Sequence, residues 1–219
     1  MDDIEIVDAH HHLWDLGLLH YPFLTDEPKE GFFLGDNSPI RKNFLPEDYR
    51  RASTNHNVIK TVHIEAECNR EYQVAESEWI GKINAEYGFP NAIVAHAWFD
   101  EDNSEEILAA QAALPLVRGI RSKPITAPTP KDKQPGAWRT MQNPKWLAGF
   151  ALLEKYDLSW DLRVPCWHLE EAAQVAKSFP GTRIVLNHTG FPWDRSEGGL
   201  AMWRGGMHAL ANAPNVHLK

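Results

Sequence analysis

Two histidines near the start of the chain have the spacing of ligands for one metal ion. His10 and His12 follow a short apolar run, Ile4–Ala9, that predicts a strand. Alternate residues of a strand point to the same face, so both imidazoles can face one cation, and neutral imidazole is a common ligand for zinc and similar metals. Asp8 has the same parity one step deeper in the strand. We predict that His10 and His12 bind one divalent metal ion, zinc or manganese. A solvated run of histidines or part of an engineered tag is the alternative.

The second predicted strand carries charge on one face. Along Val58–Ala66, Val62 and Ile64 share an apolar face, which suits a helix layer, while His63 and Glu65 share the opposite face. A buried carboxylate needs a partner such as a metal or an arginine. We predict a catalytic role for Glu65, orienting water or bracing a ligand, and a structural ion pair is the alternative.

Further polar candidates stand at later strand ends. Arg121 ends the fourth predicted strand, where an arginine can hold a carboxylate or polarise a carbonyl through a two-point contact. Arg163 shares the polar face of the fifth strand with Asp161. We predict that Arg121 and Arg163 bind substrate, with a structural salt bridge as the alternative for Arg121. His188, beside a glycine turn, is the predicted acid or base, and His96 either contacts substrate or is a core histidine.

Aromatic residues follow several predicted strands. Trp14 and Tyr21 lie in the connection after the first strand, and we expect both to wall a substrate pocket. The alternative is that they roof the core. The other aromatic residues of these connections are Phe23, Trp167 and Trp193.

Short apolar runs alternate with longer amphipathic ones, which predicts an α/β fold with a parallel sheet. The predicted strands are Ile4–Ala9, Val58–Ala66, Ala92–Ala97, Leu116–Arg121, Leu158–Val164, Arg183–His188 and Asn215–Leu218. The predicted helices are Pro46–Asn55, Arg70–Tyr87, Ser104–Ala113, Pro144–Tyr156, His168–Ser178 and Gly199–Ala211. Ser104 is expected to be an N-cap, and Pro144 suits a first helical turn.

The number of repeats favours a (β/α)8 TIM barrel that is one strand short, forming a single domain over residues 1–219. A doubly wound sheet is less favoured because no glycine-rich turn follows the first strand. Two long connections, Leu13–Leu45 and Ser122–Asn143, are expected at the carboxyl face, where substrates bind. The chain stops inside the seventh predicted strand, so we expect a fragment whose open edge favours a homo-oligomer.

Composition narrows the range of partners. The net charge is −8 and no cluster of Lys and Arg is present, which argues against nucleic acid. Cys68 and Cys166 are far apart, so we expect neither a disulfide framework nor a cysteine zinc site, and a cytoplasmic location fits. The N-terminus lacks the pattern of a signal peptide, and no apolar run is long enough for a membrane span. We expect a small-molecule substrate.

Three motifs in order resemble the amidohydrolase-related family, often called amidohydrolase 2. They are Asp8-Ala9-His10-His11-His12-Leu13-Trp14-Asp15, Val117-Arg118-Gly119-Ile120-Arg121 and Leu186-Asn187-His188-Thr189-Gly190-Phe191-Pro192. The resemblance covers the whole chain and implies a distorted TIM barrel, with His10 and His12 at the metal position and His188 beside them. The nearest branch holds lactonases of sugar lactones and pyrone dicarboxylates, and other branches are decarboxylases.

Two departures from this family pattern concern the metal and the base. Metal-dependent members usually have a histidine at the end of strand five, where this chain has Arg163-Val164-Pro165-Cys166. The strand-eight segment, which usually brings an acidic residue, is absent. Some lactonase-like members work without a metal.

The resemblance and the residues together predict hydrolysis of a lactone or related cyclic ester. Water held near His10, His12 and His188 would attack the carbonyl, and a bound cation would lower its pKa. A metal-dependent, non-oxidative decarboxylase and a non-catalytic ligand-binding barrel are the alternatives. Because the strand-eight acid is missing, we expect the 219 residues to be inactive and a longer form to be active.

Overall fold

The computed structural model describes residues 4–27 and 35–219. These residues form two compact units, Met1–Ala95 with Ala113–Val117 and His96–Ala112 with Arg118–Lys219. Part of the predicted connection Leu13–Leu45 lies outside the described residues. Helices and parallel strands alternate along the chain, which confirms the α/β class.

The first unit is a three-stranded parallel sheet with helices following its strands. Its strands pair in sequence order, with Asp8 opposite Thr61 and His63 opposite Ile93. The elements are β1 (Ile6–His11), α1 (Pro22–Thr25), α2 (Pro46–Ala52), β2 (Val58–Ile64), α3 (Gln73–Tyr87) and β3 (Ala92–Ala95). A 3₁₀ turn, Arg70–Tyr72, leads into α3.

An irregularity in β1 changes the direction of its side chains. The register with β2 shifts between Asp8 and His11. As a result Asp8 accepts a hydrogen bond from the Tyr49 hydroxyl at 2.8 Å, and the His11 ring lies 4.6 Å from the ring of the same tyrosine. The prediction that Asp8 shares a face with His10 and His12 is therefore wrong, because a bulge breaks the two-residue alternation.

His11 has a structural environment. Its ring is buried beside Tyr49 and Phe89, and its Nε2 lies 3.1 Å from the Thr61 hydroxyl. Burial lowers the pKa of His11 to about 4, so the ring is neutral at pH 7. Of the three consecutive histidines, His11 packs as part of the fold.

The second unit has an aromatic core between strand and helix. Trp160 on β5 contacts Trp146 and Phe150 of α5, with ring centroids 5.4 and 5.1 Å away, and Phe99 packs on both α5 rings. The elements are α4 (Ser104–Ala112), β4 (Val117–Ile120, which starts at the boundary between the units), α5 (Pro144–Lys155), β5 (Ser159–Leu162), α6 (Leu169–Ser178), β6 (Ile184–Leu186), α7 (Glu197–Ala211) and β7 (Val216–Leu218). Within this unit β4 to β7 pair in parallel and in sequence order. The predicted faces of β5 are confirmed, since Trp160 faces the helix layer.

All seven predicted strands are present, and most are shorter than predicted at their carboxyl ends. The predicted helix start at Pro144 is confirmed, and the Asn143 side chain caps it by accepting hydrogen bonds from the amides of Lys145 and Trp146. The prediction that Ser104 is an N-cap is wrong, because Ser104 is the first residue of α4 and its hydroxyl donates to the carbonyl of Glu101. No helix among residues 4–27 and 35–219 is long and apolar enough to cross a membrane.

A glycine in α5 tests the close packing of the second unit. A Cβ on Gly149 would overlap the backbone carbonyl of Phe99, whereas a Cβ on Gly205 in α7 meets nothing within 4 Å. We expect Gly149→Ala to lower the free energy of unfolding by about 1–3 kcal/mol through overpacking. The control Gly205→Ala should raise it by about 0.5–1 kcal/mol. Urea denaturation measures both, and equal effects would contradict this packing.

Candidate active site

Most of the predicted site residues stand just beyond the carboxyl end of a strand, the usual place for active sites in barrels. Glu65, His96, Arg121 and Arg163 immediately follow β2, β3, β4 and β5, and His188 lies two residues after β6. Each unit contributes one polar cluster.

In the first unit, His10, His12 and His63 form a histidine cluster. The ring centroids of His10 and His12 are 5.1 Å apart, and those of His12 and His63 are 6.5 Å apart. His12 Nδ1 lies 2.7 Å from the carbonyl oxygen of Ile64. Because a carbonyl can only accept, Nδ1 carries the proton and the lone pair of the neutral ring is on Nε2. His12 therefore has the tautomer of a metal ligand braced by a backbone carbonyl.

Glu65 is fully buried and bound by an arginine that the sequence analysis missed. Its Oε2 accepts from Arg70 Nη1 at 3.0 Å and from the Glu67 amide at 2.9 Å. Arg70 Nη2 also donates to the Glu67 carboxylate at 2.9 Å. The arrangement favours the ion-pair alternative for Glu65. The only signal in the sequence was an arginine five residues after a buried acid.

The two aromatic residues predicted to wall a pocket have different surroundings. Trp14 donates from Nε1 to the Lys42 carbonyl at 2.6 Å and, with His12, lines a groove of about 910 Å³ beside β1. Tyr21 is fully buried in an apolar cluster with Leu24. Burial, and then the charge of Glu76, raises the pKa of Tyr21 well above its ordinary value. Its place is the interior of the first unit, not a pocket wall.

In the second unit, positive charge surrounds His188. Partial burial, and then the charges of Arg163, Arg121 and Lys219, lower the pKa of His188 below its ordinary value, while Asp161 acts in the opposite direction. The imidazole is therefore neutral at pH 7 and can accept a proton. Arg121 is buried, whereas His188 reaches solvent.

Lys219 is a second residue that sequence reasoning missed. Its Nζ lies 2.6 Å from Oδ2 of Asp161, which is 1% exposed. The same carboxylate oxygen accepts from Asn187 Nδ2 at 3.0 Å. The partners are 58 positions apart in the sequence, so no local pattern connects them.

The turn that carries His188 has an unusual backbone. His188, Thr189, Gly190 and Phe191 all have positive φ, at 54°, 53°, 70° and 44°. Positive φ is strained for residues other than glycine, and such strain clusters at functional sites. The Phe191 ring lies 4.9 Å from the His188 ring, in an edge-type contact, and 5.2 Å from the Arg163 guanidinium, so one aromatic ring contacts both groups.

His96 has mainly buried contacts. It is 1% exposed, its ring stands edge-on to Trp98 at 4.5 Å, and its carbonyl accepts from Gln111 Nε2 at 3.0 Å. These contacts favour the core-histidine alternative.

The same family is indicated by comparison with known sequences. The family model described as Amidohydrolase matches residues 7–219. The chain belongs to the amidohydrolase family.

Two relatives of this amidohydrolase are 36% and 24% identical to it in sequence. The uncharacterized protein y4mH of Sinorhizobium fredii is 36% identical over 223 residues, covering 100% of this chain and 73% of that protein. L-fucono-1,5-lactonase of Burkholderia ambifaria is 24% identical, covering 97% of this chain and 66% of the lactonase. This amidohydrolase thus spans about two thirds to three quarters of their lengths.

A solved amidohydrolase of Burkholderia multivorans, crystallised with bound zinc, is similar to this chain with a TM-score of 0.70 at 19% identity. The similarity covers 97% of this amidohydrolase and 68% of that chain. It shows the fold, and the TIM-barrel class predicted from the repeats is confirmed.

The histidine pair of this amidohydrolase provides only part of the ligand set that a metal ion needs. His10 and His12 provide two imidazoles, about half the protein ligands of a closed tetrahedral zinc site. Among residues 4–27 and 35–219, no group of three or more His, Cys, Asp or Glu has the geometry to hold a metal. The described residues therefore do not fit a complete metal centre.

An ion-pair test concerns Glu65. We expect Arg70→Met to lower the free energy of unfolding by about 3–5 kcal/mol, because it removes the guanidinium from a buried carboxylate. Adding Glu65→Gln should recover much of this loss, since a neutral amide is easier to bury. Urea denaturation measures both variants beside the control Arg51→Met, whose side chain is 75% exposed. A loss no larger than the control's would exclude this role for Arg70.

A binding test concerns the histidine pair. We expect the dialysed chain to retain far less than one zinc per molecule and to bind added zinc weakly, because it offers two ligands. His12→Ala should weaken that binding by roughly tenfold or more, while His56→Ala, an exposed histidine of the same unit, should not change it. Elemental analysis and calorimetric titration give the two readouts. Tightly retained stoichiometric zinc would reveal a ligand outside this pair.

Proposed function

We propose that this amidohydrolase opens the ring of a lactone whose substituents are carboxylate or other oxygen groups. The observation that carries the proposal is the neutral His188 with Arg121, Arg163 and Lys219 close enough to lower its pKa. A neutral imidazole is a proton acceptor, and guanidinium groups bind carboxylates and developing oxyanions. The likeness to L-fucono-1,5-lactonase supports the substrate class.

The balanced reaction adds one water to the lactone carbonyl. His188 takes a proton from the attacking water as the carbon–oxygen bond forms. The ester carbon–oxygen bond then breaks, and His188 returns the proton to the leaving ring oxygen. The products are an alcohol and a carboxylic acid, which ionises at neutral pH.

The charges of the second unit determine which substrate this mechanism suits. Asp161 opposes the effect of the basic groups on the pKa of His188, and it pairs with Lys219 at 2.6 Å. We assign Arg121 and Arg163 to the substrate oxygens, because both guanidinium groups act on His188. Both the carboxylate product and the oxyanion formed during attack would be stabilised there.

The remaining candidates have supporting roles in this proposal. His10 and His12 are the candidate ligands for a divalent cation, and Trp14 is a candidate wall residue on the groove beside β1. Glu65 braces the loop after β2 through Arg70.

A panel of sugar-acid lactones tests the function with two matched arginine variants, made in the longer form of the protein that is expected to be active. Arg121→Ala should lower kcat/KM by roughly 10- to 100-fold, the scale of a lost charge-assisted hydrogen bond or two. Arg118→Ala changes an exposed arginine within β4, the strand that Arg121 follows, so it should leave kcat/KM within about twofold of the wild type. Unchanged kinetics with a large drop in Tm for Arg121→Ala would make the residue structural.

The pH profile of the same reaction tests the role of His188. Because the pKa of His188 is lowered, the acid limb of kcat/KM should lie below pH 6.5, the ordinary histidine value, and activity should fall as pH drops through it. His188→Gln should remove both the limb and most of the activity. A limb above pH 6.5 would contradict the assignment.

A further inference from the structure

The connection after β4 folds into a closed loop. The amide of Ile125 donates to the carbonyl of Arg139 at 2.9 Å, so residues 125–139 leave the fold and return to the same point. A compact loop of this size with its ends together is an Ω loop, a class that is often functional. We call residues 125–139 the Ω loop. It begins four residues after Arg121.

Arg139, the last residue of the Ω loop, is held by residues that precede α4. The Arg139 guanidinium lies 4.0 Å from the ring centroid of Trp98 and 4.4 Å from that of Trp138. Its Nε donates to the buried Asp100 carboxylate at 3.0 Å. Its Nη2 donates to the Glu101 carboxylate. A planar guanidinium that contacts two rings and two carboxylates holds this end firmly.

The start of the connection is also held. Trp160 Nε1 donates to the Ser122 carbonyl at 3.0 Å, and both residues are fully buried. The connection is therefore anchored at Ser122 and at Arg139. The part of the Ω loop between Ile125 and Arg139 depends on other contacts for its position.

The Ω loop is hydrogen-bonded near its start by residues that precede α6. The Ala127 amide donates to His168 Nε2 at 2.9 Å, and Trp167 Nε1 donates to the Ala127 carbonyl at 3.0 Å. Lys133, further along the Ω loop, lies 3.1 Å from the Glu171 carboxylate on α6. Both backbone polar groups of Ala127 are thus bound by two consecutive side chains.

The contacts of His168 define its tautomer. Because Nε2 accepts from an amide, the proton of the neutral ring is on Nδ1, which hydrogen-bonds the Glu171 carboxylate. Glu171 in turn contacts Lys133 at 3.1 Å, and Asp132 lines the same cavity of about 210 Å³ beneath the loop. An imidazole is suited to this place, since it accepts on one side and donates on the other.

We propose that His168 is a positioning residue that holds the Ω loop, which begins four residues after Arg121, and thereby sets substrate affinity. The effect on substrate affinity rests on the proposed function, whereas the hydrogen bonds between the Ω loop and the residues before α6 do not. His168 is predicted to act on binding and not on the chemical step, because its contacts are with the loop backbone and Glu171.

Three variants separate this role from general stability. His168→Phe keeps the ring and removes both nitrogens. His168→Gln keeps a side-chain acceptor and is the conservative variant. His208→Phe changes an exposed histidine of α7 in the same unit and serves as the control. Should His168→Phe fail to fold, Trp167→Phe removes only the donor to Ala127 and should show a smaller effect of the same sign.

The first readout is the order of the loop at a single neutral pH. Hydrogen exchange at Ala127 and tryptic cleavage after Lys131 and Lys133 should both be faster by roughly tenfold in His168→Phe, the scale of one lost hydrogen bond. His168→Gln should recover part of this protection, and His208→Phe should match the wild type. Unchanged exchange and cleavage in His168→Phe would overturn the contact between His168 and the Ω loop.

The second readout is the kinetics of lactone hydrolysis. For His168→Phe, KM should rise several-fold with kcat within about twofold, and His168→Gln should lie between it and the wild type. A loosened loop with unchanged KM would overturn the positioning role. If the wild type of the longer form hydrolyses no lactone, the proposed function fails, while faster exchange in His168→Phe with recovery in His168→Gln still supports the contact between His168 and the Ω loop.

Discussion

A buried charge is costly unless the fold supplies a partner, and this constraint shapes both units. Three almost fully buried carboxylates form ion pairs with basic side chains. Each ion pair lies beside a loop that contains or adjoins candidate functional residues. The pairs are Glu65 with Arg70, Asp100 with Arg139 and Asp161 with Lys219. The loops after the strands take their positions from these pairs, because moving a loop would expose or separate the charges.

The two polar clusters differ in chemical character. The cluster of the first unit consists of neighbouring imidazoles, with one ring fixed in a tautomer that presents Nε2. The cluster of the second unit has an excess of positive charge around one imidazole. Membership of the amidohydrolase family and the fold describe the scaffold, while the chemistry depends on the residues that the scaffold carries.

The sequence predicted most of the elements because strands in an α/β fold are apolar and their polar residues gather at the carboxyl ends. Alternation gave the correct faces of β5, where Trp160 packs on α5. It failed in β1, because a bulge is a backbone irregularity that no side-chain pattern records. Arg70 and Lys219 were missed because their roles depend on which carboxylate folding brings to them. The glycine at position 190 marked a turn, but nothing marked the left-handed residues on either side of it.

That left-handed turn has a consequence for the history and engineering of this chain. Thr189 is a β-branched residue at φ 53°, a conformation that glycine or asparagine would adopt at lower energy. A library sorted for stability alone would therefore drift toward Gly or Asn at position 189. The added backbone freedom of glycine would loosen the angle at which His188 and Phe191 are presented. Selection for stability and selection for a fixed orientation of His188 would then favour different residues at position 189.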